Sequence, residues 1–187
     1  KGGGGGVIAI ILALVILLGG GGFAYWKYVY EPNTPIGVIR AAIKTEKADD
    51  KEAFKKYVTK STSPNFDITR GPDGNVVDVT EGKDFTLELT SSYDTSTKVM
   101  MKMLPTGYDK FIASLNIEAS IPPAYQQIAK DSIKESTKDG IPILLSKEDG
   151  KWKIDGEKSD EAQHQIQMKL ISTINDKVRA MSGMPQK

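Results

Sequence analysis

The sequence predicts an α+β fold: an N-terminal transmembrane helix, then a soluble domain of short helices packed on a curved antiparallel sheet, with a long C-terminal amphipathic helix. Three observations predict it. Residues 2–26 carry no charge and contain an unbroken apolar run from Val7 to Leu18. Phe85, Leu87 and Leu89 alternate with Thr86, Glu88 and Thr90, the period of a half-buried strand. Ile166, Leu170, Ile174, Val178 and Met181 recur at helical spacing near the C-terminus.

The uncharged stretch Val7–Trp26, at about 1.5 Å rise per residue, spans roughly 30 Å, the thickness of a bilayer's hydrocarbon core. Val7, Ile11, Leu14, Leu18, Phe23, Tyr25 and Trp26 are the expected anchor residues. Tyr25, Trp26, Tyr28 and Tyr30 cluster at its end, where amphipathic rings favour the headgroup interface. A cleaved signal peptide with Val7–Leu18 as its apolar region is the competing reading, but no small-residue cleavage pattern follows the run cleanly. Lys1 and Lys27 flank the stretch, so the charge rule gives no orientation. An uncleaved span ahead of a large domain reads most simply as N-inside, with the C-terminal domain extracytoplasmic. The organisation expected is an anchor with a short cytoplasmic flank (1–30), a linker (31–35), an α+β domain (36–158), and a C-terminal helix and tail (159–187).

Pro32 and Pro35 break any continuous helix out of the membrane. Thr34 is suited to an N-cap and Pro35 to the first helical position, opening a helix to about Glu46. Asp49 or Asp50 caps a second short helix, with Ala53, Phe54, Tyr57 and Val58 on its inner side. Thr59–Asn65 reads as loop and Pro72-Asp73-Gly74 as a turn. Strands are expected at Val76–Thr80, from Phe85, at Lys98–Leu104 and at Tyr108–Glu118, the last two separated by Pro105-Thr106-Gly107. A helix of about Ala124–Lys138 ends at Gly140. Ile141–Ser146 and Lys151–Asp155 form a hairpin around Glu148-Asp149-Gly150. Ser159 or Asp160 caps the last helix, which runs to about Met181.

Chemistry is sparse. The chain has no cysteine, which excludes disulfides, thiol nucleophiles and thiolate metal sites within it. His164 is its sole histidine, flanked by Gln163 and Gln165. The acidic residues of 44–52 interleave with lysines, the pattern of a solvated helix face rather than a paired-carboxylate site. No nucleophile elbow, phosphate loop, dinucleotide-binding glycine pattern or calcium loop is present. No catalytic residue, metal ligand or cofactor is therefore expected, and the chain does not read as an enzyme. With Lys1 and Lys27 set aside, residues 31–187 carry a net charge near −1, and Arg40, Arg70 and Arg179 are the only arginines. That balance argues against nucleic acid as a partner. Trp152 alternates with Lys151 and Lys153 and is expected to point into the core. Met100, Met101 and Met103 read as core filler.

Thr34-Pro35 opening an isoleucine-rich helix, Ala48-Asp49-Asp50-Lys51-Glu52-Ala53-Phe54 opening a second, and Glu148-Asp149-Gly150-Lys151-Trp152-Lys153-Ile154 as a closing strand together resemble nuclear-transport-factor-like (cystatin-like cone) domains. The resemblance spans residues 34–155 and rests on the two ends. It implies a bacterial envelope domain following a single span, with a cone-shaped sheet that could hold a ligand. The last helix lies outside the pattern. Its stripe of Ile166, Leu170, Ile174, Val178 and Met181 either packs back on the sheet or meets another subunit or partner. The function expected is a non-catalytic interaction or assembly module of the cell membrane, partnered by the lipid bilayer and by a second copy or another envelope protein. The alternative is an envelope ligand sensor.

Overall fold

The structure, a computed structural model, describes residues 33–70, 75–115 and 117–182. Its first helix, α1 (Pro35–Lys47), starts as its sequence dictates. Thr34 has extended backbone, and its hydroxyl accepts from Gly37 N–H at 3.0 Å while Pro35 occupies the first turn. Asp50, rather than Asp49, caps the single turn α2 (Lys51–Phe54), accepting from Ala53 N–H at 2.9 Å.

The sheet is antiparallel, in the order β1 (Phe85–Ser92), β2 (Ser96–Met103), β3 (Ile141–Glu148), β4 (Lys151–Ile154). Its cross-strand rows put like with like: Leu89 faces Val99 and Val99 faces Ile143, while Leu145 faces Ile154. α1 lies on this apolar face, burying Val38, Ile39, Ala42 and Ile43 against Phe85, Val99, Met101, Ile143, Leu145 and Ile154. Asp149 and Gly150 both take positive φ at the β3–β4 turn, which is why a short Asp-Gly pair closes that hairpin.

Between the adjacent strands β2 and β3 the chain builds a helical lobe: α3 (Pro105–Ser114), α4 (Ile117–Ser120) and α5 (Pro123–Ser136). α6 (Gly156–Ser182) follows β4 and packs on both α5 and β3. Ile112, Ile117, Ala129 and Ile133 form a second apolar cluster in this lobe, with Leu170 of α6 packed against it.

Several expectations are corrected here. The chain is α+β with an antiparallel sheet, but among the described residues no helix is long and apolar enough to cross a membrane. The longest, α6, carries Lys158, Asp160, Glu161, Lys169, Asp176, Lys177 and Arg179 along its 27 residues. The stretch 7–26, with Val7, Ile11, Leu14, Leu18, Phe23, Tyr25 and Trp26, lies outside the described residues, as does the turn at Pro72-Asp73-Gly74. Tyr108–Glu118 is not a strand: Pro105 opens a helix there, because Tyr108, Phe111, Ile112 and Leu115 fall on a helical stripe and not on alternate positions. Val76–Thr80 forms no regular strand. Val79 is buried and Val77 packs on the core, yet only Val76 bridges, to Arg70, and Val77 N–H binds Thr69 O at 2.8 Å. α6 starts at Gly156, ahead of both expected caps.

Candidate functional site

Two regions concentrate polar groups and exposed apolar surface. The first is a cleft of about 890 Å³ between the end of α1, α2 and the loop 58–70. Its floor includes Glu46, which is only 4% exposed although it sits in the last turn of α1, where the carbonyl end of a helix disfavours an anion. Both Glu46 carboxylate oxygens accept from Ile68 N–H and Thr69 N–H at 3.1–3.3 Å, and Oε2 accepts from Thr69 Oγ1 at 2.9 Å. Burial pushes the Glu46 carboxyl above its ordinary 4.5; the bonds from Thr69 and Ile68 pull it back and Asp67 adds repulsion. With its lone pairs engaged, this carboxylate fastens the loop to α1 and is badly placed to take a proton from a substrate. Arg70 ties the same loop to Asp67 and Asp49, each at 3.2 Å.

The second region is α6 with the helical lobe. Asp155 Oδ1 accepts from Lys158 N–H at 3.2 Å, so Asp155 caps the helix and Ser159 falls inside its first turn. Burial raises the Asp155 carboxyl, but Lys158 and Ser146 outweigh it and hold the group below 3.8. Ser159 is fully buried; its hydroxyl accepts from Leu144 N–H at 2.9 Å and donates to Asp155 O at 2.7 Å. Gln163 Nε2 donates to Pro142 O at 3.3 Å. β4 pairs with β3 only over Leu145–Glu148, so the start of α6 supplies the partners for the β3 edge that β4 leaves bare.

Within the expected partner face, Ile166, Leu170, Ile174 and Val178 are half-buried, and Leu170 packs on the lobe's cluster. Met181 is exposed, and so are Met168 and Ile171, the latter one heptad from Val178 and beside the stripe. His164 is exposed, near Asp160 and Glu161. Among the described residues no group of three or more metal-ligating side chains could hold an ion. Trp152 is half-buried against the core, with Lys147 Nζ 4.9 Å from its ring centroid. Met101 is buried and Met103 packs against the same core.

Glu46, Asp84 and Lys110 are the polar residues that sequence reasoning missed. Each reads locally as one more surface charge, and only long-range folding buries the carboxylates. No protein-family model, curated protein or solved structure matches the chain.

Proposed function

We propose that this domain is a non-catalytic interaction and assembly module of the cell envelope. The observation that carries the reading is α6, a helix of 27 residues, about 40 Å long, that leaves Met168, Ile171 and Met181 exposed at 54%, 46% and 63%. Ile171 and Met181 extend the half-buried stripe Ile166, Leu170, Ile174 and Val178 beyond what the lobe covers, which supports docking of this helix against a protein groove. The helical lobe, built on the path between two adjacent strands, supports the same reading, since a hairpin needs no such detour. Envelope placement rests on the uncharged run 7–26 alone.

A photo-crosslinking residue placed at Ile171 or Met181 in the full chain in cells tests it. Discrete adducts from these positions, absent when the probe is moved to Asp94 on the β1–β2 turn, are the expected result. Adducts no stronger than those from Asp94 overturn it.

The second reading, a ligand sensor, draws on the cleft beside Glu46. α1 fills the sheet's apolar face, so a ligand would sit at the cleft's mouth near Lys60 and Asn65. A saturable rise in Tm with a small envelope metabolite supports it; a blank screen counts against it.

A further inference from the structure

α6 carries a second line of side chains beside the one that packs on the lobe. Glu161, His164, Met168, Ile171, Asn175 and Val178 follow one another in alternating steps of three and four residues. All but the half-buried Val178 are exposed. At about 100° per residue, this line runs roughly 130° around the helix from Leu170, so it faces away from the lobe that Leu170 packs on. A repeat of seven residues is the spacing at which two helices keep one seam in contact along their length. The middle of this seam is apolar and its ends are polar.

Charge selects what fits it. Residues 156–168 hold Glu157, Asp160 and Glu161 against Lys158, a net −2; residues 169–182 hold Lys169, Lys177 and Arg179 against Asp176, a net +2. Lys158 and Lys177 are engaged within the domain, with Asp155 at 2.7 Å and Glu135 at 3.4 Å. Setting those two aside leaves the first half at −3 and the second at +1. Acid in a first turn and base in a last turn serve a helix's own dipole, but Glu161 lies in the second turn, past the reach of that effect. A helix acidic at one end and basic at the other attracts a reversed copy of itself and repels a parallel one.

We propose that α6 pairs antiparallel with α6 of a second copy of this chain, about a two-fold axis level with Lys169 and Leu170. The proposal rests on the reading of the domain as an assembly module and names the partner this helix takes. In this register Met168 meets Ile171 of the second copy, so the exposed apolar groups of the seam cover one another. His164 meets Asn175 of the second copy, a polar pair that fixes the register. Glu161 comes beside Arg179 of the second copy, on the same flank of the seam. A slide of one heptad would set Ile171 against Glu161 or Asn175 of the second copy instead, and a parallel pair would set Glu161 on Glu161. The apolar centre is small, so the dimer is concentration-dependent.

The chain has no cysteine, so introduced thiols report this contact alone. His164→Cys and Asn175→Cys are made in separate full chains, one carrying a size tag, and mixed in non-ionic detergent. Helix axes about 8–10 Å apart bring residues 164 and 175 of opposite chains within disulfide reach, whereas each lies roughly 16 Å along the helix from its own counterpart. Mild oxidation should give the mixed disulfide at about tenfold the yield of either self-pair. Sedimentation of the unmodified chain should show a dimer that Ile171→Glu shifts to monomer without lowering Tm. Glu161→Arg should weaken the dimer, and adding Arg179→Glu should restore it. A monomer at every concentration, self-pairs as abundant as the mixed disulfide, or a dimer indifferent to Ile171→Glu overturns the proposal. If the purified chain is monomeric while a probe at Ile171 in cells still gives adducts with another protein, the pairing falls and the assembly reading stands.

Discussion

Lys110 Nζ lies 2.7 Å from Asp84 Oδ2, and it is Asp84, not Lys110, that is wholly removed from solvent. Lys110 belongs to α3 of the helical lobe, Asp84 to the turn that feeds β1, so the pair joins the lobe to the sheet. The Lys110 hydrogen bond holds the Asp84 carboxyl down to about 2, burial opposes it, and Thr80 N–H assists. Because this value lies below the ordinary 3.8, the stabilisation is fully present above pH 3.8 and is lost as the pH falls through about 2. Melting temperatures of the unmodified chain and Asp84→Asn should therefore differ by a constant amount above pH 4 and converge on further acidification.

Glu46 has the opposite sign. Its folded pKa is raised above 4.5, so the folded state gains stability as the pH falls through that raised value toward 4.5 and loses it on the way back up. Glu46→Gln should remove this slope. It should also lower Tm near neutrality, since an amide NH₂ would confront the Ile68 and Thr69 N–H donors. Parallel thermal melts across pH 4–8 check both effects.

Gly107 is required by contact. A Cβ there would lie 1.9 Å from Asp84 O, a backbone atom that cannot swing aside. Gly107→Ala should loosen the lobe from the sheet, seen as faster amide exchange in α3 with β3 less affected.

Core and surface isoleucines should separate cleanly. Ile39 is 0% exposed and Ile171 46%. Denaturant unfolding should show Ile39→Ala costing about 2–5 kcal/mol, and Ile171→Ala within about 0.5 kcal/mol of the unmodified chain.

Ser159→Ala leaves Leu144 N–H without the hydroxyl it binds. The expected cost is about 1–3 kcal/mol, read as a shift in the urea midpoint with an unchanged slope.

Local rules made much of the fold legible. Thr34-Pro35, Asp149-Gly150 and the alternation from Phe85 announce a helix start, a hairpin turn and a strand through chemistry that acts within a few residues. The failures are where distant partners decide. Tyr108–Glu118 holds an ambiguous apolar density that Pro105 and packing against α5 resolve as helix. Val76–Thr80 has β-branched residues, but among the described residues no adjacent strand offers it a ladder. The expected cap at Ser159 or Asp160 misses Asp155 because what places Asp155 lies on β3, where the Ser146 hydroxyl donates to its carboxylate and Leu144 O accepts from its N–H. The partner face was readable as an amphipathic stripe, but not how much of it the lobe would cover.

The seal over β3 has a consequence for synthesis. Until residues 155–163 have left the ribosome, the nascent chain holds a β3 whose Leu144 N–H and C=O lack their eventual partners. A released chain truncated after Ile154 would thus leave Leu144 open at the edge of β3, an invitation to pairing with other chains that the first two turns of α6 close in the complete domain.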